Sequence, residues 1–218
     1  MTVIDLPEDR PVRFVSDEHF DHQRIIAHTG RPFPDVVAMR EELVRRANEG
    51  ADERTLTIHL GDFAFRAATV RRLVPRLLGE HWIVLGNHDL VRRLDRFARE
   101  EAGHRAAGES GPYPAAEWVP SAEGAACYAE AGMRVVRNGA LVRRHGRTLR
   151  LSHYPSRRRL HPLDRKALAF APAPEGPPLV HGHTHAPDPG DAREVNVCVE
   201  AREDRPVAAE EVFAQASG

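Results

Sequence analysis

The chain is expected to fold as one α/β domain covering residues 1–218, and three observations point there. Short β-rich runs alternate with segments of helical periodicity. Five of those runs end in clusters of metal-capable side chains, at the strand ends where open α/β sheets gather their ligands. A length of 218 residues lies within the range of single α/β domains and is enough to bury a sizeable core.

The first run, Val12-Arg13-Phe14-Val15-Ser16 after Pro11, reads as a strand that delivers Asp17-Glu18-His19 into a loop. On an extended segment the middle residue, Glu18, points away from its two neighbours. Asp35 can cap a helix whose apolar positions Val36, Met39, Leu43, Val44 and Ala47 follow helical spacing, and Gly50 can end it. A second strand over 55–60 runs into Gly61-Asp62. Residues 67–78 read as helix, kinked or divided by Pro75, with Gly79 as a cap before a third strand over 82–85. That strand ends in the turn Gly86-Asn87-His88-Asp89.

The stretch 103–132, rich in Gly, Ala, Pro and Glu without clear periodicity, is expected to be a surface insertion able to form a lid. Runs over 140–144 and 147–151 flank His145-Gly146 and predict a tight hairpin leading to Ser152-His153-Tyr154-Pro155. Residues 172–178 form a loop, Leu179-Val180 introduces His181-Gly182-His183-Thr184-His185, and a last strand spans 194–200.

Composition narrows the function classes. With 41% hydrophobic and 29% charged residues and a formal charge of −1, no strong electrostatic attraction to nucleic acid or to a membrane is expected. Arginine supplies nearly all the basic residues, Lys166 being the one lysine, and this bias carries no functional weight. Cys127 and Cys198 make neither a disulfide framework nor a zinc knuckle, and Cys198 reads as a buried strand thiol. No signal peptide and no apolar run near the ~20 residues of a membrane span are visible, so a cytoplasmic protein without membrane contact is expected.

The ligand types are informative together. Carboxylate, imidazole and amide oxygen suit manganese, zinc, iron or nickel, whereas calcium favours an all-oxygen shell. In order along the chain, Asp17-Glu18-His19, Gly61-Asp62, Gly86-Asn87-His88-Asp89, His153 and Gly182-His183-Thr184-His185 match D-x-H, G-D, G-N-H-D/E, an isolated His and G-H-x-H. This ordered signature resembles that of the calcineurin-like metallophosphoesterases, from Asp17 to His185. A segment Phe20-Asp21-His22-Gln23-Arg24-Ile25-Ile26 followed by Arg31-Pro32-Phe33 is similar to a compact bacterial and phage subgroup of that superfamily.

The resemblance implies a sandwich of two mixed β-sheets flanked by helices, and two divalent transition-metal ions, with manganese favoured. It places Asp17, His19, Asp62 and His185 around one ion and Asp62, Asn87, His153 and His183 around the other, Asp62 bridging. A bridging carboxylate offsets repulsion between cations ~3.5–4 Å apart, and a shared water deprotonated near neutral pH becomes the nucleophile. The implied reaction is hydrolysis of a phosphoester substrate, with a phosphodiester preferred. A phosphomonoesterase, a nuclease acting on a nucleotide or nucleic-acid substrate, and a non-catalytic interaction module on the same fold are the alternatives.

His88, beside Asn87, is expected to donate to a phosphoryl or leaving-group oxygen. Many relatives follow G-D with x-x-D-R, whose carboxylate orients that imidazole, but this chain reads Gly61-Asp62-Phe63-Ala64-Phe65-Arg66, so Phe65 stands where the orienting group is expected. Arg31 and His22 are candidate substrate contacts, Arg31 through a bidentate phosphate pair. Arg157-Arg158-Arg159 offers a further guanidinium near His153, while His59 and His181 are expected to serve structural or supporting roles.

Overall fold

A computed structural model describes residues 2–89, 122–136, 139–161 and 165–217. Among these, the strands are β1 (Thr2–Asp5), β2 (Val12–Val15), β3 (Leu56–His59), β4 (Glu80–Val84), β5 (Met133–Val136), β6 (Ala140–Arg144), β7 (Arg147–Leu151), β8 (Leu179–His181), β9 (Glu194–Asn196) and β10 (Val207–Ala208). The helices are α1 (Gln23–Thr29), α2 (Val36–Asn48), α3 (Ala67–Leu73), α4 (Ala122–Glu130), α5 (Arg165–Phe170) and α6 (Ala209–Gln215). No helix of the described residues is long and apolar enough to cross a membrane.

The strands form two mixed five-stranded sheets, ordered β10-β2-β3-β4-β5 and β1-β6-β7-β8-β9. In the first, β2, β3, β4 and β5 are parallel and β10 is antiparallel; in the second, the β6–β7 hairpin is the antiparallel pair. Arg144 pairs with Arg147 across His145-Gly146, both of which have positive φ (49° and 72°), the backbone a two-residue hairpin needs to match strand twist.

Alternation along the parallel strands sorts side chains into two layers. Phe14, Ile58 and Trp82 face Val142, Leu149, Val180 and Val195 of the other sheet, forming the core between the sheets. Val15 and Ile83 face the opposite way and pack under Met39 and Leu43 of α2, Val70 and Leu73 of α3 and Tyr128 of α4. Asp35 caps α2, its Oδ1 accepting from the Val37 and Ala38 amides, each at 2.8 Å. Pro75 divides the expected 67–78 helix into α3 and a single 3₁₀ turn, Val74–Arg76.

Two segments differ from expectation. The last strand stops at Asn196, and Val199–Ala201 coils into a 3₁₀ turn. Ala122–Glu130, from the stretch expected to be irregular, is helical, and Cys127 and Tyr128 are buried; residues 103–121 of that stretch lie outside the described residues.

Because β2, β3 and β4 are paired in register, Val15 with His59 and His59 with Ile83, their carboxyl ends stop level with one another. The other sheet meets them there. The Ser16 amide donates to the Val197 carbonyl at 3.0 Å and the Val199 amide to the Ser16 carbonyl at 3.1 Å, so the run after β9 continues alongside the end of β2.

The core between the sheets supports that junction. Phe14 is fully buried, and Phe14→Ala is expected to lower unfolding free energy by about 3–5 kcal/mol. Chemical denaturation at equilibrium measures it; a loss below about 1 kcal/mol means that the two sheets do not depend on this contact.

Candidate metal centre

Every residue expected to hold metal lies just beyond a strand: Asp17 and His19 after β2, Asp62 after β3, Asn87 after β4, His153 after β7, and His183 and His185 after β8. The D-x-H triplet is not extended. Asp17, His19, Asp62, His183 and His185 all have positive φ (62°, 50°, 58°, 72° and 50°), a region uncommon for residues other than Gly and relatively tolerated by Asp and His. The chain thus turns sharply as it leaves each strand, and side chains that an extended segment would scatter are directed to one place.

Backbone hydrogen bonds stitch these turns together. The Asp17 amide donates to the Gly61 carbonyl at 3.0 Å, His19 to Asp62 at 2.9 Å, and Gly182 to His153 at 3.0 Å. Two glycines permit the close approach. A Cβ at Gly86 would lie 2.1 Å from Asp62 Oδ1, and one at Gly182 would lie 1.9 Å from Ser16 Oγ and 2.3 Å from Asp17 Oδ2.

Asp17 is completely buried, and its two oxygens are treated differently. Oδ2 accepts from Ser16 Oγ at 2.6 Å, the His183 amide at 2.8 Å and Cys198 Sγ at 3.1 Å. Oδ1 has no hydrogen-bond partner and faces His185 Nε2 at 3.7 Å and His19 Nε2 at 4.0 Å. Both ring nitrogens of the buried His19 are likewise without a partner. Burial, then the charges of His185 and Arg31, push the His19 pKa well below its ordinary value and keep the imidazole neutral, the form that ligates a metal.

Asp62 occupies the middle. Its Oδ1 accepts from the His88 amide at 2.8 Å, and its Oδ2 lies 3.4 Å from His19 Nε2 and 3.6 Å from His153 Nε2. His153 is hydrogen-bonded through Nδ1 with the Leu60 carbonyl at 2.8 Å and through Nε2 with Asn87 Oδ1 at 2.9 Å, which fixes the ring between β3 and the turn carrying Asn87. His183 packs its ring against His153 at 5.1 Å and against Tyr154 at 4.7 Å.

Two groups of donor atoms lie within 4.8 Å of one another: Asp17, His19 and His185, and Asp17, Asp62 and His153. The orphaned Asp17 oxygen and the neutral His19 imidazole therefore fit divalent transition ions. The second group includes Asp17 beside Asp62, so both carboxylates lie between the two sets of histidines.

Two carboxylates that motif reading did not place in the site organise it. Asp89, fully buried, accepts from the amides of Asp62 (2.9 Å), Gly86 (2.7 Å) and Phe63 (3.0 Å) and from Tyr128 Oη (2.7 Å). Burial pushes its pKa up, and these four donors oppose that rise by favouring the carboxylate. Glu200, in the 3₁₀ turn after β9, accepts from His185 Nδ1 at 2.9 Å and leaves Nε2 free toward Asp17. A lone acid ending the apolar run Val195-Asn196-Val197-Cys198-Val199 was its one signal in sequence.

Arg31 is placed beneath the centre and not in the cleft. Its side chain is 1% exposed, and Nε and Nη2 both donate to Glu200 Oε1, at 3.0 and 2.8 Å. A guanidinium paired inside the protein in this way is not presented to a phosphate. His22 and His88 are half-buried beside His19: half-buried Phe65 sets its edge against His22 at 4.4 Å and His88 at 4.8 Å, and His19 lies 5.2 Å from His22 and 5.4 Å from His88. Arg157 donates to the Ala171 carbonyl and Arg159 pairs with Asp191, while Arg158 is 65% exposed near Glu194. Glu18 points away as expected, into a buried hydrogen bond with His59, which in turn meets His81 at 3.1 Å. His181 is buried and bonded to the Gly182 carbonyl.

A family model described as calcineurin-like phosphoesterase matches residues 10–209. An uncharacterized protein of Methanocaldococcus jannaschii is 34% identical over 83 residues, which are 37% of this chain and 47% of that relative, so the match spans about half the relative's length. A crystal structure of a protein of unknown function from Aquifex aeolicus superimposes with a TM-score of 0.60 at 19% identity, covering 94% of this chain and 98% of that one; it shares the fold.

Two outcomes follow from the supporting carboxylates. Asp89→Asn turns one acceptor oxygen into a donor facing amide donors, so it should cost about 1.5–3 kcal/mol and weaken both metal sites; unchanged denaturation and metal content would show Asp89 dispensable. Glu200 is the pH-dependent case. Burial raises its pKa, but the His185 hydrogen bond and the Arg31 charge outweigh that and hold it at about 2. A depressed carboxyl contributes stability above its unfolded pKa of about 4.3 and loses it as pH falls toward the folded value. Melting temperatures of wild type and Glu200→Gln in chelator should therefore differ most above about pH 4.5 and converge toward pH 2; a pH-independent gap contradicts the ion pair.

Proposed function

The chain belongs to the calcineurin-like phosphoesterases, and on that premise we propose that it is a dinuclear metal-dependent phosphoester hydrolase acting by preference on phosphodiesters. The observation that carries this reading is the convergence of buried atoms without hydrogen-bond partners, Asp17 Oδ1 and both His19 nitrogens, beside Asp62 Oδ2, 3.4 Å from His19 Nε2. An interaction module has no use for desolvated acceptors of this kind, which cost stability unless cations satisfy them.

Asp17, His19, Asp62 and His185 would hold one ion and Asp62, Asn87, His153 and His183 the other, with manganese favoured among manganese, zinc, iron and nickel. Bound there, the ions would acidify a water and neutralise phosphoryl oxygens. This chain's residues do the rest. Glu200 and the Leu60 carbonyl hold the Nδ1 of His185 and of His153, so that each Nε2 is turned toward the candidate metal position. The Asp62 carboxylate anchors the His88 backbone at 2.8 Å, and the edge of Phe65 limits how the His88 ring can turn. From there the imidazole donates a proton to the departing ester oxygen, and His22 forms the neighbouring wall of the cleft.

A diester is favoured over a monoester by the shape the chain allows. The candidate ligands stand in turns at strand ends, and an open cleft built there accepts a phosphate substituted on both sides.

Metal-reconstituted protein should hydrolyse a generic phosphodiester, and His88→Ala should lower kcat on the order of 10²–10⁴-fold with both ions retained. The loss should shrink for a nitrophenyl ester, whose leaving group departs without a proton. Equal losses for activated and unactivated esters would remove the acid role, and inertness of wild type with manganese, zinc, iron and nickel alike would remove the hydrolase reading.

A further inference from the structure

We propose that Arg31 and Glu200 form a positioning pair that sets the metal affinity of the Asp17–His19–His185 cluster separately from that of the cluster containing His153. The proposal rests on the dinuclear reading above and deepens it, because it assigns a buried guanidinium and an acid outside every motif to one half of the centre.

Arg31 engages almost everything around it. Nη2 donates to the Asp17 carbonyl at 2.6 Å and Nη1 to the Glu18 carbonyl at 2.9 Å, with Met39 Sδ also 3.4 Å from Nη1. Those two carbonyls belong to the peptide units that join Asp17 to Glu18 and Glu18 to His19. The chain there passes through positive φ at Asp17 (62°) and again at His19 (50°), a turn that costs conformational energy and persists only where its surroundings hold it. One planar fork thus fixes the spacing between two expected ligands of the same ion.

The same guanidinium reaches the third ligand through Glu200. Oε1 receives both Arg31 contacts, at 3.0 and 2.8 Å, together with His185 Nδ1 at 2.9 Å. With Nδ1 donating to that oxygen, the His185 ring is oriented so that Nε2 faces Asp17 Oδ1, 3.7 Å away. All three side chains of the cluster are therefore tied to one ion pair. The His153 half is held by other means: His153 by the Leu60 carbonyl, and the turn carrying Asn87 by Asp89 accepting from Gly86 at 2.7 Å.

The test is stepwise manganese binding to chelator-stripped protein by calorimetry, with the Co²⁺ visible spectrum as a second readout, in wild type, Glu200→Gln, Arg31→Lys and the double variant Arg31→Met/Glu200→Gln. Glu200→Gln keeps the shape and one acceptor but leaves the buried Arg31 charge unpaired, whereas the double variant removes both charges. Expected is a loss of about 10–100-fold at one of the two sites, with the other within about twofold of wild type. Activity of the variants should recover at saturating manganese, and the double variant should lose no more than the weaker single one. Equal weakening of both sites, or losses that merely follow the fall in melting temperature, would make the pair a structural element and overturn the proposal, as would unchanged affinities. A wild type with two resolved binding steps but no turnover would instead defeat the hydrolase reading and leave this one standing, whereas a single binding step in wild type would defeat both.

Discussion

A cluster of carboxylate and imidazole atoms has been taken out of water where the ends of two packed sheets meet, with several of its atoms left without a hydrogen-bond partner. Asp17 is fully buried with one oxygen unpartnered, and His19 is buried with both nitrogens unpartnered. Desolvation of such groups is costly, and in a folded chain it is tolerated where cations or donors complete them. The rest of the architecture follows from it. The sheets must stop level so that residues from five strand ends meet, the turns must be sharp, and the second layer must be tightly packed to hold them.

Sharp turns raise a second difficulty, because strands that end in a buried place leave backbone groups without ladder partners. The two halves of the centre solve this with opposite charges. On one side the Asp89 carboxylate collects donors, the amides of Asp62, Phe63 and Gly86. On the other the Arg31 guanidinium collects acceptors, the carbonyls of Asp17 and Glu18. Each charged group is also met by a side chain from elsewhere in the chain, Asp89 by the Tyr128 hydroxyl of α4 and Arg31 by the Glu200 carboxylate. Tyr128 connects the centre to the helix that precedes β5, so support for the metal residues extends into the layer of helices.

Much of this was legible in sequence, for a physical reason. Strands β2, β3, β4, β6 and β7 have β-rich patterns bounded by turn residues, and the hairpin at His145-Gly146 and the break at Pro75 are local backbone chemistry. The expected ligands are legible because each must follow a strand with a glycine or a sharp turn at hand. What stayed hidden depends on distance along the chain. Arg31 and Glu200 are 169 positions apart and meet only in the folded state, so a surface-type arginine looked free to bind phosphate. The left-handed backbone at Asp17 and His19 was likewise invisible, since an isolated D-x-H triplet looks like the continuation of its strand. Short elements such as β1, β10 and α1 carry too few apolar positions to show a period.

Phe65 shows how such a centre tolerates a lost polar contact. Where relatives with the fuller motif orient the histidine by a carboxylate, this chain sets an aromatic edge 4.8 Å from the His88 ring, and the same ring lies 4.4 Å from His22. A carboxylate would fix one nitrogen of the imidazole and stabilise its charged form, whereas an apolar edge restricts the ring's motion and leaves the proton's position to the cleft and its contents. The backbone supplies the remaining constraint: the His88 amide is bonded to Asp62 Oδ1, and the Asp62 amide to Asp89 Oδ2, 2.9 Å away. His88 is thus located through the main chain by the carboxylate at the middle of the metal cluster. Any shift of Asp62 moves the histidine with it, and the geometry of His88 and that of the proposed metal residues are set by one and the same turn.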